Sequence, residues 1–142
     1  MSELGTGRFR RIVDEPVRTQ HDPRDEHWAK ASGGKVGDEG RYVEFISRSL
    51  NGSDMNVGVD WLEPGEIHVL HHHGEAEEWY YVVRGTANIR VDGEEQVCGP
   101  GTGIFIPAGA WHRVENIGEE TCEFLYGFNT GELADLTYVW EE

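Results

Sequence analysis

Short apolar runs separated by turn residues fill residues 42–128, and this texture constrains the fold more than any other feature. Runs of this length predict strands, and no stretch has the periodicity of a long amphipathic helix. The 19 glycines are spread along the 142 residues and supply the turns that many short strands need. Because short antiparallel strands at this spacing build a sandwich or a small barrel, we predict an all-β domain. Strands are predicted at residues 42–47, 55–61, 66–72, 78–84, 86–91, 94–98, 103–106, 111–115 and 121–128.

A hairpin is predicted around Asp92 and Gly93. In the strand before this pair, apolar Ala87, Ile89 and Val91 alternate with polar residues, so the strand has one apolar and one polar face. Asp-Gly suits a type I′ turn, which requires a positive φ at both central residues.

The first 40 residues differ in composition from the rest of the chain. They are polar and charged, and they include Pro16, Pro23 and a Ser-Gly-Gly run at residues 32–34. Such a segment predicts irregular structure, with one short strand near residues 9–13. We therefore predict an irregular N-terminal arm over residues 1–40 and a single β-barrel domain over residues 41–142, since the whole length suits one domain.

The charge of the chain excludes some classes of partner. There are 27 acidic residues against 12 basic ones, and the formal net charge is −15. A surface of this charge repels phosphate, so neither nucleic acid nor an anionic membrane is an expected partner. No apolar stretch has the length that a membrane span requires, and we expect a soluble cytoplasmic protein. Cys98 and Cys122 form no CxxC pair, which predicts two buried thiols and neither a disulfide nor a thiolate metal site.

Three histidines and one glutamate are spaced so that they can share a metal ion. Residues two apart on a strand point to the same face, so His71 and His73 project together. After a turn, Glu78 begins the next strand, and the turn at residues 107–111 leads to His112 at the start of another strand. Three imidazoles and one carboxylate suit a borderline divalent metal. Four protein ligands leave one or two coordination positions open, as a catalytic metal requires.

Strand parity sorts the other polar residues near these four. His68 and His72 have the wrong parity relative to His71, so we expect them to be exposed or to lie behind the ligands. Glu77 is expected to face away from the cluster because it neighbours Glu78.

Other side chains are candidates for catalysis or substrate binding. Tyr80 shares the parity of Glu78 and is expected inside the barrel, either as an acid/base group or as a packing side chain. Tyr138 is a candidate if the tail folds over the barrel mouth. An anionic substrate would need at least one barrel arginine inside, and the sequence leaves open which: Arg41, Arg84, Arg90 or Arg113.

The sequence resembles the cupin superfamily. The first cupin motif, G-x5-HxH-x3–4-E-x6-G, is matched by Gly65, His71, His73, Glu78 and Gly85. The second, G-x5-PxG-x2-H-x3-N, is matched by Gly101, Pro107, Gly109, His112 and Asn116. The resemblance implies a single double-stranded β-helix, which is a jelly-roll-like barrel. It also implies one divalent transition metal bound by His71, His73, Glu78 and His112. Iron is the metal that we expect, with manganese, nickel, zinc, cobalt and copper as alternatives.

The resemblance implies an enzyme but leaves its reaction open. In the leading hypothesis, a small organic substrate chelates the metal and is cleaved with oxygen, as in quercetin-dioxygenase-like cupins, and Glu78 doubles as a base. In the second, the protein is a non-oxidative lyase or isomerase, like the small cupins that cleave dimethylsulfoniopropionate, with Tyr80 as the base and Tyr138 as its partner. In the third, the barrel binds a metabolite or a sugar without catalysis. Small cupins commonly form homodimers, so we expect a homodimer in which the arm reaches its partner.

Overall fold

Antiparallel strands make up most of a computed structural model of the protein, which describes residues 7–19, 40–133, 136 and 139–140. One 3-10 turn, Ile12–Asp14, and one short helix, α1 (Arg48–Asn51), accompany them. The strands are β1 (Arg18–Thr19), β2 (Arg41–Ile46), β3 (Asn56–Leu62), β4 (Ile67–His72), β5 (Glu78–Arg84), β6 (Ala87–Val91), β7 (Glu94–Cys98), β8 (Gly103–Ile106), β9 (His112–Asn116), β10 (Cys122–Phe128) and β11 (Val139–Trp140).

The strands form two sheets. The six-stranded sheet has the order β1-β2-β3-β10-β5-β8, and the five-stranded sheet has the order β11-β4-β9-β6-β7. Every pair of neighbouring strands is antiparallel. This arrangement is the all-β, jelly-roll-like fold that the sequence predicts. No helix among the described residues is both long and apolar enough to cross a membrane.

The nine strands predicted for residues 42–128 are all present, with ends that differ by no more than one residue. The hairpin is also confirmed: Val91 pairs with Glu94, and Asp92 and Gly93 have φ values of 49° and 84°. The prediction of a strand near residues 9–13 is wrong. Phe9 is 97% exposed and does not pack against the sheets, and the first pairing instead joins Arg18 to Tyr42.

The core lies between the two sheets and is built from alternating side chains. Along β5, Tyr80 and Val82 are buried, whereas their neighbours face outward. The inward residues of the other strands complete the core, among them Leu62, Ile89, Ile106, Val114 and Phe124. Burial of this apolar surface is the main stabilising contribution to such a domain.

Both cysteines are buried free thiols, as the sequence predicts. Burial, supported by the nearby Asp60 carboxylate, raises the pKa of Cys122 to about 11. Burial also raises the pKa of Cys98. Since the thiolate is the reactive form, both side chains act as core residues.

Candidate metal centre

Both sheets contribute to a buried polar cluster at one end of the barrel. In the five-stranded sheet, His71 near the end of β4 pairs directly with His112 at the start of β9. His73 follows β4, two residues after His71. Glu78 begins β5 in the other sheet, where it pairs with Phe128 of β10. The structure therefore brings together the four residues that the sequence predicts as metal ligands.

The donor atoms of these residues converge on one point. The ligand atoms of His71, His73 and His112 all lie within 4.8 Å of one another. Glu78 Oε1 lies 2.9 Å from His112 Nε2 and 3.3 Å from His73 Nε2, and His71 Nε2 lies 3.1 Å from His73 Nε2. Donors about 2.1 Å from a metal stand roughly 3 Å apart when they occupy adjacent coordination positions. The spacing of the cluster thus suits a single ion.

Backbone carbonyls fix the tautomers of two of the imidazoles. His71 Nδ1 lies 2.5 Å from the carbonyl oxygen of Val69, and His112 Nδ1 lies 2.9 Å from that of Ala110. Because a carbonyl oxygen only accepts hydrogen bonds, each Nδ1 carries the proton and donates it. In the neutral imidazole, each Nε2 then directs a lone pair into the cluster, which is the arrangement found around metal-binding histidines.

A cation would provide a partner for two buried polar atoms, one on Glu78 and one on His112. Glu78 Oε1 and His112 Nε2 are both buried, and neither makes a well-aligned hydrogen bond to any described residue. When the imidazole is neutral and the carboxylate ionised, these are two acceptors 2.9 Å apart, which is unfavourable in a site shielded from water without a positive charge between them. The chemistry of the donor set therefore fits a divalent transition metal.

The protonation states also favour metal binding. Burial and the neighbouring histidines lower the pKa of His71 well below its ordinary value. Burial lowers the pKa of His73 as well, although Glu78 partly opposes this effect. Burial raises the pKa of Glu78, but the attraction of His73 and the close approach of His112 outweigh it and lower this pKa to about 2. Neutral imidazole and ionised carboxylate are the forms that coordinate metals.

His68 shows where strand parity misleads. Between His68 and His71 the chain advances three residues, while the paired residues of β9, Val114 and His112, are two apart. The extra residue is a β-bulge, which reverses the parity of everything before it. His68 is therefore buried, with its ring centroid 4.3 Å from that of His71. Of the two expectations for His68, the position behind the ligands is the observed one.

His72 and Glu77 lie where parity predicts. The ring of His72 packs edge-on against Trp111 at 4.6 Å and its Nδ1 accepts a hydrogen bond from the backbone N–H of Gly74. Glu77 is exposed, and its backbone N–H donates to Asn129 Oδ1 at 3.0 Å. Neither side chain joins the cluster.

Tyr80 faces the barrel interior, as its parity predicts. It is 1% exposed, and its ring centroid lies 6.2 Å from that of His112 and 4.9 Å from that of Phe124. Tyr138, the other predicted tyrosine, lies outside the described residues.

A cavity of about 390 Å³ opens beside His73 at the mouth of the barrel. We call it the mouth cavity. Hydrogen bonds between Glu77 and Asn129 hold together the two loops that form it. Its remaining lining residues are Gly74, Glu75, Ala76, Asn129, Thr130 and Leu136. The sequence analysis does not identify these residues. They reach the cavity because strand pairing places Phe128 opposite Glu78, so the loop after Phe128 lies beside the turn before Glu78.

The four barrel arginines do not line the mouth cavity. Arg41, Arg84 and Arg113 form ion pairs with surface glutamates at 2.5, 3.0 and 3.1 Å. Arg90 is half-buried and pairs across the five-stranded sheet with Glu95 and Arg113.

Fold and site together define a jelly-roll-like barrel that holds a histidine cluster suited to a divalent metal. The family model described as Cupin domain matches residues 60–128, which include the four clustered residues. An uncharacterised protein of Streptomyces coelicolor is 31% identical over 86 residues, which are 61% of this chain and 77% of that protein. The chain belongs to the cupin superfamily.

Relatives of this chain include proteins named as enzymes. Oxalate decarboxylase of Bacillus subtilis is 35% identical over 134 residues, 91% of this chain and 30% of that protein. The tetracenomycin polyketide synthase protein TcmJ of Streptomyces glaucescens is 35% identical over 78 residues, 55% of this chain and 52% of that protein. The chain also matches mannose-1-phosphate guanylyltransferase of Escherichia coli, with 44% identity over 59 residues, but spans only 12% of that enzyme.

Among solved structures, that of a predicted oxalate decarboxylase from Thermotoga maritima superposes with a TM-score of 0.66. The match covers 83% of this chain and 95% of that chain at 22% identity, so it supports the fold alone.

We expect the protein to bind one equivalent of divalent metal, and His71→Ala to weaken this binding on the order of 100-fold because a buried ligand is lost. His72→Ala is the matched control, since its ring faces outward on the same strand. Elemental analysis and metal titration measure the effect, and circular dichroism checks that both variants fold. Equal metal affinity in the two variants would contradict the assignment of His71 as a ligand.

Proposed function

We propose that the protein is a metal-dependent enzyme whose small organic substrate chelates a metal held by His71, His73, Glu78 and His112. The observation that carries this proposal is the convergence of four buried donors beside an open cavity. A metal at this position supplies the positive charge that polarises and ionises a chelating substrate. We propose iron as the native metal, because imidazole and carboxylate ligands together suit it.

The protein's own residues keep the site prepared for its ligand. Strand pairing fixes His71 against His112, and the backbone carbonyls hold both rings in one orientation. Such preorganisation avoids the cost of arranging the ligands when the substrate binds. Glu78, with a pKa of about 2, holds a proton poorly. We therefore assign its ionised form to metal ligation, and its second role as a base stays a prediction.

We propose that the reaction consumes oxygen. The ligand set resembles that of quercetin-dioxygenase-like cupins, and one relative is named as a polyketide synthase protein. Polyketides carry 1,3-dicarbonyl and phenol groups, which chelate metals through two neighbouring oxygens. An uncharged molecule of this kind fits a cavity that combines apolar, uncharged polar and acidic lining with an adjacent metal site.

With iron-loaded protein we expect oxygen uptake to accompany the loss of a chelating phenol or 1,3-diketone. His71→Ala should lower the rate at least about 100-fold because the metal is lost, while His72→Ala should retain it. An oxygen electrode and chromatography of the products make the measurement. Turnover that proceeds equally fast under nitrogen would exclude the oxygenase, and tight binding without turnover would favour a binding protein.

A second candidate is a non-oxidative lyase or isomerase, a class that includes the decarboxylation named for the Bacillus subtilis relative. The observation that favours it is the position of Tyr80 inside the barrel, with its ring centroid 6.2 Å from that of His112. A hydroxyl so placed can take a proton from a substrate that the metal acidifies. Against this role, Tyr80 is not among the residues that line the mouth cavity.

Tyr80→Phe separates the two candidates because it removes only a hydroxyl group. If Tyr80 is the base, turnover should fall on the order of 10²–10⁴-fold while metal content stays unchanged. If the oxygenase proposal holds, oxygen uptake should persist. Steady-state rates are compared with metal content measured on the same samples, and Tyr81→Phe, on the outer face of β5, is the control.

We also propose that the protein forms a homodimer through the outer face of the six-stranded sheet. Trp79, Tyr81 and Phe105 are 40%, 44% and 61% exposed there, and Trp79 lies opposite Phe105 across the β5–β8 pair. Among the described residues, β8 is the last strand of its sheet. A second copy can cover both the apolar side chains and the strand edge.

Light scattering at micromolar concentration should then give twice the chain mass of 16.0 kDa. Phe105→Glu should shift the mass to that of one chain, because the new charge would be buried in the interface. Val97→Glu is the control, since Val97 is 60% exposed on the other sheet. A single-chain mass for the unmodified protein would remove the homodimer proposal.

A further inference from the structure

Among the described residues, the side chains that line the mouth cavity beside His73 are apolar, uncharged or acidic. Ala76 and Leu136 supply apolar surface, while Asn129 and Thr130 supply uncharged polar groups. Glu75 is exposed on the same lining and adds a carboxylate. A substrate that reaches the metal through this cavity therefore passes a negative charge.

The charge of the metal centre itself favours a ligand with one negative charge. A divalent cation with neutral imidazoles and the ionised Glu78 carries a net charge of one positive unit. A ligand that binds as a monoanion brings this buried centre to neutrality, whereas a dianion gives it a net negative charge. Uncompensated charge in a buried site is costly, and the carboxylate of Glu75 lies on the same cavity.

No arginine is among the described residues that line the mouth cavity. Arg41, Arg84 and Arg113 pair with surface glutamates. The backbone N–H of Arg48 donates a hydrogen bond to the Gly131 carbonyl at 2.9 Å, in the loop that forms one side of the mouth, but Arg48 is not among the cavity-lining residues. The sequence has no lysine or arginine between Arg48 and Arg84 and none after Arg113. The described residues around the mouth, 74–77, 129–133 and 136, therefore contain no cationic side chain.

We propose that this site selects substrates that carry no net charge in solution and bind the metal as monoanions, and that it discriminates against small dianions such as oxalate. Enols and phenols belong to the selected class. As such a molecule binds, its O–H bond breaks, its oxygen bonds to the metal, and the proton leaves to solvent. This inference rests on the proposed metal site and adds the charge class of its ligand.

The test compares two chelating probes on cobalt-loaded protein: acetohydroxamic acid, which is uncharged in neutral solution, and oxalate, which is a dianion. Binding is followed by the visible absorption of cobalt and by calorimetry at low and high NaCl. Salt screens repulsion between like charges. Added salt should therefore tighten oxalate binding severalfold and change the affinity for acetohydroxamic acid by less than about twofold.

A matched pair of variants separates the cavity from the overall charge of the protein. Glu75→Gln should tighten oxalate binding about threefold to tenfold at low salt, because it removes a nearby like charge. Glu119→Gln makes the same charge change in the turn between β9 and β10, at the opposite end of these strands from His112 and Phe128. It should have a much smaller effect.

These outcomes apply to protein that elemental analysis shows to be loaded with cobalt. On such protein, oxalate affinity that falls with added salt would overturn the inference, and so would equal changes of oxalate affinity in Glu119→Gln and Glu75→Gln. Protein that holds no cobalt would instead overturn the proposed metal site, and the inference with it.

Discussion

The buried convergence of three imidazoles and one carboxylate is the constraint on which the rest of this structure depends. Polar atoms shielded from water need partners, and the buried Glu78 Oε1 faces His112 Nε2 at 2.9 Å and His73 Nε2 at 3.3 Å. A cation between them converts an unfavourable contact into coordination. Because Glu78 lies in one sheet and the histidines are carried by the other, a metal here also joins the two sheets. Metal binding and the stability of this end of the barrel are therefore linked.

Tight turns place these ligands, and their backbone conformations explain several of the motif glycines. Gly109 has a φ of +78° in the turn that leads to His112, a conformation that residues with a Cβ rarely adopt. Gly85, which ends β5, has a φ of +83°, and a Cβ there would lie 2.7 Å from the Cα of Cys122. At the far end, Asn116 Nδ2 donates to the carbonyls of Leu62 and Glu120, which ties three segments together. The motif residues thus hold the frame as well as the metal.

Local pattern predicted most of the fold, because alternation of apolar residues and turn chemistry act over a few residues. The same alternation brought His71 and His73 to one side, and the motif spacing added Glu78 and His112. At His68 the position behind the ligands is observed, but parity is not the reason for it, since one extra residue in β4 reverses the parity and nothing in the sequence marks the bulge. The strand near residues 9–13 failed because a strand needs a partner as well as a pattern. Asn129 and Leu136 reach the mouth cavity only through tertiary pairing, which parity does not encode.

The metal-ligand candidates and the residues that line the mouth cavity are different sets, which explains why the family assignment leaves the reaction open. The four clustered residues lie inside the segment that the cupin family model matches, and such a donor set fits many reactions. Thr130 and Leu136 follow that segment and line the mouth cavity, outside the part of the chain that the family model matches. Under the proposed function, the barrel would determine where a substrate meets the metal, and the loops would determine which substrate can approach. For this chain the loops present a carboxylate at Glu75 and uncharged groups around it. An activity inferred from relatives that share only the ligands would therefore overlook the part of the site that selects the substrate.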